Sequence, residues 1–556
     1  MNKVRLYVLL AISILIFGIM TLRKQQNPEK IYFNGNIWTG VLNAQKAEAI
    51  VINGNKIVEI GSNDLLNKYD SPEIEKIDLE GEFVVPGLID AHTHFLSGGF
   101  QLTQLNLRKA KSKENFISGI KDYAESVNDG RWILGGDWDH ESWGGELPSK
   151  TWIDSVTQDN PVYLHRLDGH MGLANSKALE LAGVFSDTPD PPGGLIIRNE
   201  SEEPTGILKD KAQKLVRNFI PEPTDDEKFE ALSRAMEFAA SQGITQVHDM
   251  CTWDDLKIYR KANKRGEVKT RINAYVWYTN FEKLLDLIES KGKGDNWVKW
   301  GGVKAMVDGS LGSRTAWMHE PYRDDPSTSG LLVLTDSTNV KKMYLKGDDK
   351  GIQFAMHAIG DRANDWILAQ YKIVTEKNGL KDRRFRIEHA QHLSPDAVNK
   401  MGKLNVIASM QPYHLIDDGR WARKRMDDEL LKTSYANKSL LDGGVTLAFG
   451  SDWTVAPMSP LKGIHAAVTR ETLDGKNPGG WYPEQKISLE DALIAYTVGA
   501  AYAGFQEEIL GTLEKGKLAD FVVLSEDLFE IDPITIKDVN VVRTVTDGID
   551  QFIAQE

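Results

Sequence analysis

One cysteine, Cys251, stands in 556 residues. A single thiol excludes an intramolecular disulfide framework and any cysteine-rich zinc site, so a metal held by this chain must be held by nitrogen and oxygen. Positive charge is also scarce. Lys and Arg total 66 against 80 Asp and Glu, a formal net charge of −14. No basic stripe is available to meet phosphates, which argues against nucleic-acid binding. Long apolar runs are missing after residue 22. The only one is Leu6–Leu22, 17 residues without a charge, with Lys3 and Arg5 before it and Arg23-Lys24 after it. It reads as a targeting segment lying at the short edge of what spans a bilayer. No small-x-small cleavage site follows it and no cysteine is placed for lipid attachment, so we expect residues 1–28 to act as an uncleaved membrane anchor or signal segment. The rest of the chain is then expected to be exported or held outside the cytoplasm. Basic residues on both flanks give little orientation.

What remains has the composition of a globular protein, 41% apolar and 26% charged, and is too long for one ordinary core. Both ends are β-rich. Ala49-Ile50-Val51-Ile52, Asn53-Gly54-Asn55 and Lys56-Ile57-Val58-Glu59-Ile60 form a hairpin signal. Phe521-Val522-Val523-Leu524 and Val541-Val542-Arg543-Thr544-Val545 repeat the theme. Neither end has enough strands for a stable sheet by itself, so residues 29–84 and 508–556 are expected to build one small β-sandwich. Between them, over 85–507, apolar strands alternate with helical stretches: 85–94, 243–249, 271–278, 298–306, 352–358, 384–390, 404–410 and 445–452. Eight such units predict an α/β fold, a TIM (β/α)8 barrel. One spacing is wrong for a plain barrel, because 148 residues separate His94 from Gly243. An insertion at about 100–225, rich in tryptophan and with strands of its own such as Pro161–His165, accounts for them. Following the first strand, it emerges on the face where active sites of this fold lie, and we expect it to cover the substrate pocket.

The chemistry gathers at strand ends. Val85-Pro86-Gly87-Leu88-Ile89-Asp90-Ala91-His92-Thr93-His94 ends in two histidines two residues apart, hence on one strand face. Taken alone they read either as half a metal site, the reading slightly favoured, or as polar residues at the rim. The fourth strand carries Lys304 inside an apolar run, the fifth ends at His357, the sixth at His389 and the eighth at Asp452. In a parallel barrel these ends converge on one rim. Neutral imidazole and carboxylate are ordinary ligands of zinc-class cations. An ammonium at Lys304 repels such an ion. Desolvation lowers a lysine's pKa, and a neutral amine can take up carbon dioxide to become an anionic carbamate able to bridge two metals. A salt bridge from Lys304 to Asp308 or Asp452 is the other reading.

This set resembles the amidohydrolase superfamily. Val303-Lys304 with Asp308-Gly309-Ser310, His357-Ala358-Ile359-Gly360-Asp361-Arg362-Ala363, Arg386-Ile387-Glu388-His389-Ala390-Gln391 and Gly450-Ser451-Asp452-Trp453 are similar to the branch typified by N-substituted formamide deformylase. Leu167-Asp168-Gly169-His170, Asn175–Leu179, Gly243-Ile244-Thr245 and Gly511–Asp520 match it too, over about residues 30–550. The resemblance implies a urease-like small β domain and metal-dependent hydrolysis of a small-molecule amide or N-formyl or N-acyl amine rather than a peptide. It implies one or two divalent ions, zinc first, with His92, His94, Lys304 and Asp452 on one and His357 and His389 on the other, Lys304 carboxylated and bridging. Asp452 is the expected general base and acid. His170 and His248 are expected at the substrate or its oxyanion; structural histidines are the alternative for both. Trp138, Trp143, Trp453 and Trp481 read either as pocket walls or as packing, and Glu388 as a partner behind a ligand. An isomerase or lyase on the same fold and a non-catalytic surface binding protein are the rival functions, and a homo-oligomer is compatible with the sequence.

Overall fold

The computed structural model describes residues 28–166, 171–192, 194–334 and 337–555. The Leu6–Leu22 run and His170 lie outside these. Among the described residues no helix is long and apolar enough to cross a membrane.

Eight parallel strands form one sheet in sequential order: β1 (Leu88–Thr93), β2 (Ile244–Cys251), β3 (Arg271–Trp277), β4 (Val298–Met306), β5 (Gln353–Ala358), β6 (Arg386–His389), β7 (Ile407–Met410) and β8 (Leu447–Phe449). Their residues are buried almost without interruption, as expected of strands covered on both faces. Closure comes just beyond the last strand. Asp452 N donates to His92 O (2.7 Å) and His94 N to Trp453 O (2.6 Å). Gly450 permits this approach: a Cβ there stands 2.4 Å from His92 N. Strand eight is therefore shorter than its apolar run, because 450–453 leaves β8 to stitch the seam to β1. Strand seven starts late for a different reason. The preceding helix runs through Leu404 and is capped by Asn405 at φ 50°.

The first predicted strand proves to be two. Phe83–Pro86 belongs to a second sheet, pairing antiparallel with Phe521–Leu524 (Val522 opposite Val85), and the barrel strand begins only at Leu88. Gly87 is the hinge, since a Cβ there lies 2.3 Å from Thr245 Oγ1. Both chain ends build the sandwich. A four-stranded sheet from the N-terminal part faces a five-stranded one that adds Phe521–Leu524, Val541–Thr546 and Ile549–Ile553. Tyr32, Ile50, Ile52, Phe521, Val523 and Val545 share one core. The hairpin turns at Gly54-Asn55, with Asn53 opposite Lys56. Arg271 on β3, fully buried, donates to Asp520 (2.7 and 2.9 Å) and Asp547 (2.6 Å), tying sandwich to barrel by charge-assisted bonds.

Residues Phe95–Ala235 form a compact unit of their own. Its six-stranded sheet includes Ile133–Trp138, Val162–Arg166 and Pro204–Asp210. Trp138 is buried in this unit's core beside Phe116, against which Trp143 and Trp152 also pack. Two of the four tryptophans read from the sequence as pocket walls or packing, Trp138 and Trp143, thus serve internal packing.

One buried histidine makes acid stability a test of the packing. His392 pairs with Ser434 Oγ (2.7 Å), its Nε2 has no partner, and burial lowers its pKa from 6.5 to about 3. Between those values the unfolded chain binds a proton that the folded one does not, so stability rises with pH across the window and is lost as pH falls, at about 1.4 kcal/mol per pH unit. His392→Asn is expected to remove about 2–3 kcal/mol of the decline in unfolding free energy between about pH 6.5 and 4.5. An unchanged slope in denaturant titrations contradicts it.

Candidate metal centre

At the C-terminal rim of the barrel the strand ends bring His92, His94, Lys304, His357, His389 and Asp452 to one cavity of about 390 Å³. The period-two spacing works as expected. His92 Nε2 lies 3.6 Å and His94 Nε2 3.4 Å from the same oxygen, Asp452 Oδ1, although His92 is fully buried and the His94 side chain is 31% exposed. His389 (φ 77°) and Asp452 (φ 58°) both hold left-handed backbone. Such conformations cost about 1–3 kcal/mol each and persist where the surroundings demand a particular aim of the side chain.

Each buried histidine has one ring nitrogen committed. His92 Nδ1–H donates to Glu388 Oε2 at 2.6 Å, His357 Nε2–H to Gly309 O at 3.0 Å and His389 Nδ1–H to Gln411 Oε1 at 2.7 Å. The other nitrogen of each ring is left as a lone pair: His92 Nε2, His357 Nδ1 and His389 Nε2. Outer donors and acceptors that set the tautomer in this way are what ligating imidazoles require. Burial, followed by the nearby Lys304 charge, lowers the pKa of His92 to about 4 and of His357 to about 3; burial and then the His357 charge hold His389 well below the usual value. All three rings are neutral at neutral pH, the form that binds a cation. Burial alone raises the Asp452 carboxyl, but the His94 hydrogen bond and the neighbouring rings outweigh it and keep the group ionised. Two trios of ligand atoms each lie within 4.8 Å of one another: His92, His94 and Asp452, and His389, His414 and Asp452. The donor set fits a zinc-class divalent ion.

Lys304 is 2% exposed. Burial, the leading cause, lowers its pKa to about 8 against the opposing pull of Glu388 and Asp452. Its Nζ lies 3.2 Å from His92 Nε2. Asp308, one of the two carboxylates considered as its ion-pair partner, instead accepts the backbone N–H groups of Trp317 (2.8 Å), Ile359 (3.0 Å) and Gly360 (2.8 Å), clamping the loop after β4 to the loop after β5.

Beneath the rim, Arg386 organises the assembly. Fully buried, it donates to both Glu388 oxygens (2.7 and 3.0 Å), to Ala91 O (2.6 Å) and to Ser409 Oγ (2.8 Å), and it meets His248 Nδ1 (2.8 Å). The guanidinium is the main influence that overcomes burial and keeps Glu388 ionised well below the usual carboxylate range. Glu388 is thus the partner behind a ligand that its position suggested. His248 is not brought to the cavity. It is fully buried inside the barrel among Arg386 and Tyr275, which is the structural alternative for that residue. Asp361 accepts His319 N (2.9 Å) and opens the helix Asp361–Asn378, and Arg362 stacks on Trp317.

Several contributors were not read from the sequence. Asp90 accepts His92 N (3.2 Å) and Ser451 N (2.9 Å) across the closing seam. Strand seven, which no ligand had been assigned to, supplies Gln411 at its end and His414 on the short helix Pro412–Asp418. Their signal was present, since polar residues follow this apolar strand as they follow β5, β6 and β8. The cavity wall includes Trp277, Met306, Leu311, Trp421, Asp418 and Val455, whereas Trp453 packs on Phe238 and Trp481 on Tyr435.

Comparison with known proteins agrees with this reading of the fold. Protein LONG AFTER FAR-RED 3 of Arabidopsis thaliana is 44% identical over 510 residues, 89% of this chain and 87% of that protein. N-substituted formamide deformylase of Arthrobacter pascens is 27% identical over 547 residues, 94% of this chain and 98% of the enzyme. The crystal structure of a metal-dependent hydrolase from Pyrococcus horikoshii superposes with a TM-score of 0.74 at 30% identity, covering 91% of this chain and 99% of that one. The model of the amidohydrolase family matches residues 75–549. That match takes in all eight barrel strands and every residue of the rim cluster, and the chain belongs to the amidohydrolase family.

Proposed function

We propose that this hydrolase cleaves a carbon–nitrogen bond other than a peptide bond, in an amide or an N-formyl or N-acyl amine, and that His92, His94 and Asp452 hold a zinc-class ion, with Lys304 beside it and His357 and His389 lining the same cavity. The observation that carries the reading is the set of outer hydrogen bonds from Glu388, Gly309 and Gln411, which leaves one lone pair on each buried imidazole at the cavity. When bound, the ion supplies Lewis acidity, making water a better nucleophile at neutral pH and polarising a carbonyl. The chain supplies the rest. Asp452, ionised and facing the cavity, takes a proton from the attacking water and returns it to the leaving nitrogen. The apolar wall, Trp277, Met306, Leu311 and Val455 among it, accepts the organic part of the substrate. Lys304 as a carbamate belongs to the same proposal. Its buried amine is neutral in part near pH 8, and addition of carbon dioxide forms an N–C bond, releases one proton and turns a repelling charge into an attracting one.

A library of N-formyl and N-acyl amines, read by amine release, together with metal analysis of the purified protein, tests the proposal. Stoichiometric metal is expected, and hydrolysis of at least one compound that a chelator abolishes and zinc restores. A protein without stoichiometric metal, or hydrolysis indifferent to chelation, removes the reading.

A further inference from the structure

We infer that His414 is a metal ligand, and that with His389 and Asp452 it builds a second cation seat in which Asp452 bridges the two positions. The inference rests on the metal-dependent reading above and goes beyond it. The two oxygens of Asp452 divide between the trios. Oδ1 lies 3.4 Å from His94 Nε2 and 3.6 Å from His92 Nε2, while Oδ2 lies 3.9 Å from His414 Nε2. Two ligands of one tetrahedral zinc, each about 2.1 Å from the ion, stand about 3.4 Å apart. The His414 to Asp452 separation therefore needs only a small contraction.

The third member is prepared in the same sense. His389 spends Nδ1–H on Gln411 Oε1, and the Gln411 amide is itself fixed by Nε2 donating to Ser409 O at 3.3 Å. His389 Nε2 is left for a cation. The rings of His389 and His414 are nearly parallel, 10° apart in plane, with centroids 6.3 Å apart, a face-to-face spacing that leaves room between them. His414 Nε2 is buried without a hydrogen-bond partner, an arrangement that leaves a polar atom desolvated at a cost unless something binds it. Its other nitrogen, Nδ1, faces the Gln391 side-chain amide at 3.5 Å. His357, by contrast, belongs to neither trio. The second seat accordingly draws on strand seven, the one strand of the later barrel to which the spacing argument had given no ligand.

Cobalt(II) titration of metal-free protein, with bound metal counted after gel filtration and the visible absorption of cobalt followed, tests this without reference to activity. The parent is expected to retain two equivalents. His414→Ala is expected to retain one, with the spectrum of the first equivalent unchanged and the circular dichroism of the parent. Should that variant misfold, His414→Gln is read in its place, with the same loss expected. Two retained equivalents in a folded His414 variant overturn the inference, as does a second equivalent lost from His357→Ala but not from His414→Ala. A parent that retains a single equivalent also overturns it while leaving the hydrolase reading intact. A parent that retains none removes both.

Discussion

Asp452→Asn is expected to lower kcat/KM for any amide the enzyme hydrolyses by about 10³-fold or more. A positioned acid–base group contributes about 10²–10⁴, and this carboxylate also belongs to both trios of metal-type ligands. Asparagine is the informative replacement. Residue 452 holds φ 58°, a left-handed conformation that Asn adopts readily, so the backbone that closes the barrel through Asp452 N and His92 O is kept. Asp452→Ala adds about 1–2 kcal/mol of backbone cost and confuses loss of chemistry with loss of fold. The fall in rate is expected to exceed the fall in bound metal, because the amide oxygen still ligates but no longer accepts a proton. Equal hydrolysis by the Asn variant and the parent contradicts the role given to Asp452.

Arg386→Met is expected to cost about 3–5 kcal/mol of stability, the usual penalty for leaving one member of a fully buried ion pair without its partner. Glu388 is the member left behind, and its other hydrogen-bond partner, the His92 ring, is neutral. Stability and metal affinity separate in the double variant. Arg386→Met with Glu388→Leu removes both charges, and apolar replacement of a buried pair is often neutral, so most of the lost stability is expected to return. Metal affinity is not expected to return. Without Glu388 the His92 ring loses the acceptor that holds Nδ1–H and aims Nε2, a change that costs about 10–100-fold in comparable sites. Denaturant melts and metal titrations on the two variants read the two effects. A double variant that recovers metal binding along with stability shows that Glu388 does not position His92.

The legibility of this chain divides along a physical line. Barrel strands are short, apolar and buried on both faces, and polar residues lie at or just beyond the ends of several, so their number, order and rim ligands can be seen in one dimension. Period-two geometry alone places His92 and His94 together. The near-absence of cysteine excludes a cysteine-rich metal site without any structure. Whatever depends on two distant segments meeting is not written locally. Gly87 reads as one residue of an apolar run, and only its contact with Thr245 makes it the hinge between sandwich and barrel. His248 and His389 are both strand histidines in the sequence. Arg386 draws the first into the interior, while Gln411, from the neighbouring strand, turns the second toward the cavity. The sequence by itself determined the barrel, the joint sandwich, the insertion and six rim residues, because burial and strand period are local patterns. The tertiary structure alone decided which nitrogen of each imidazole is free and that His414 joins Asp452, because a tautomer is set by a hydrogen-bond partner far away in the chain.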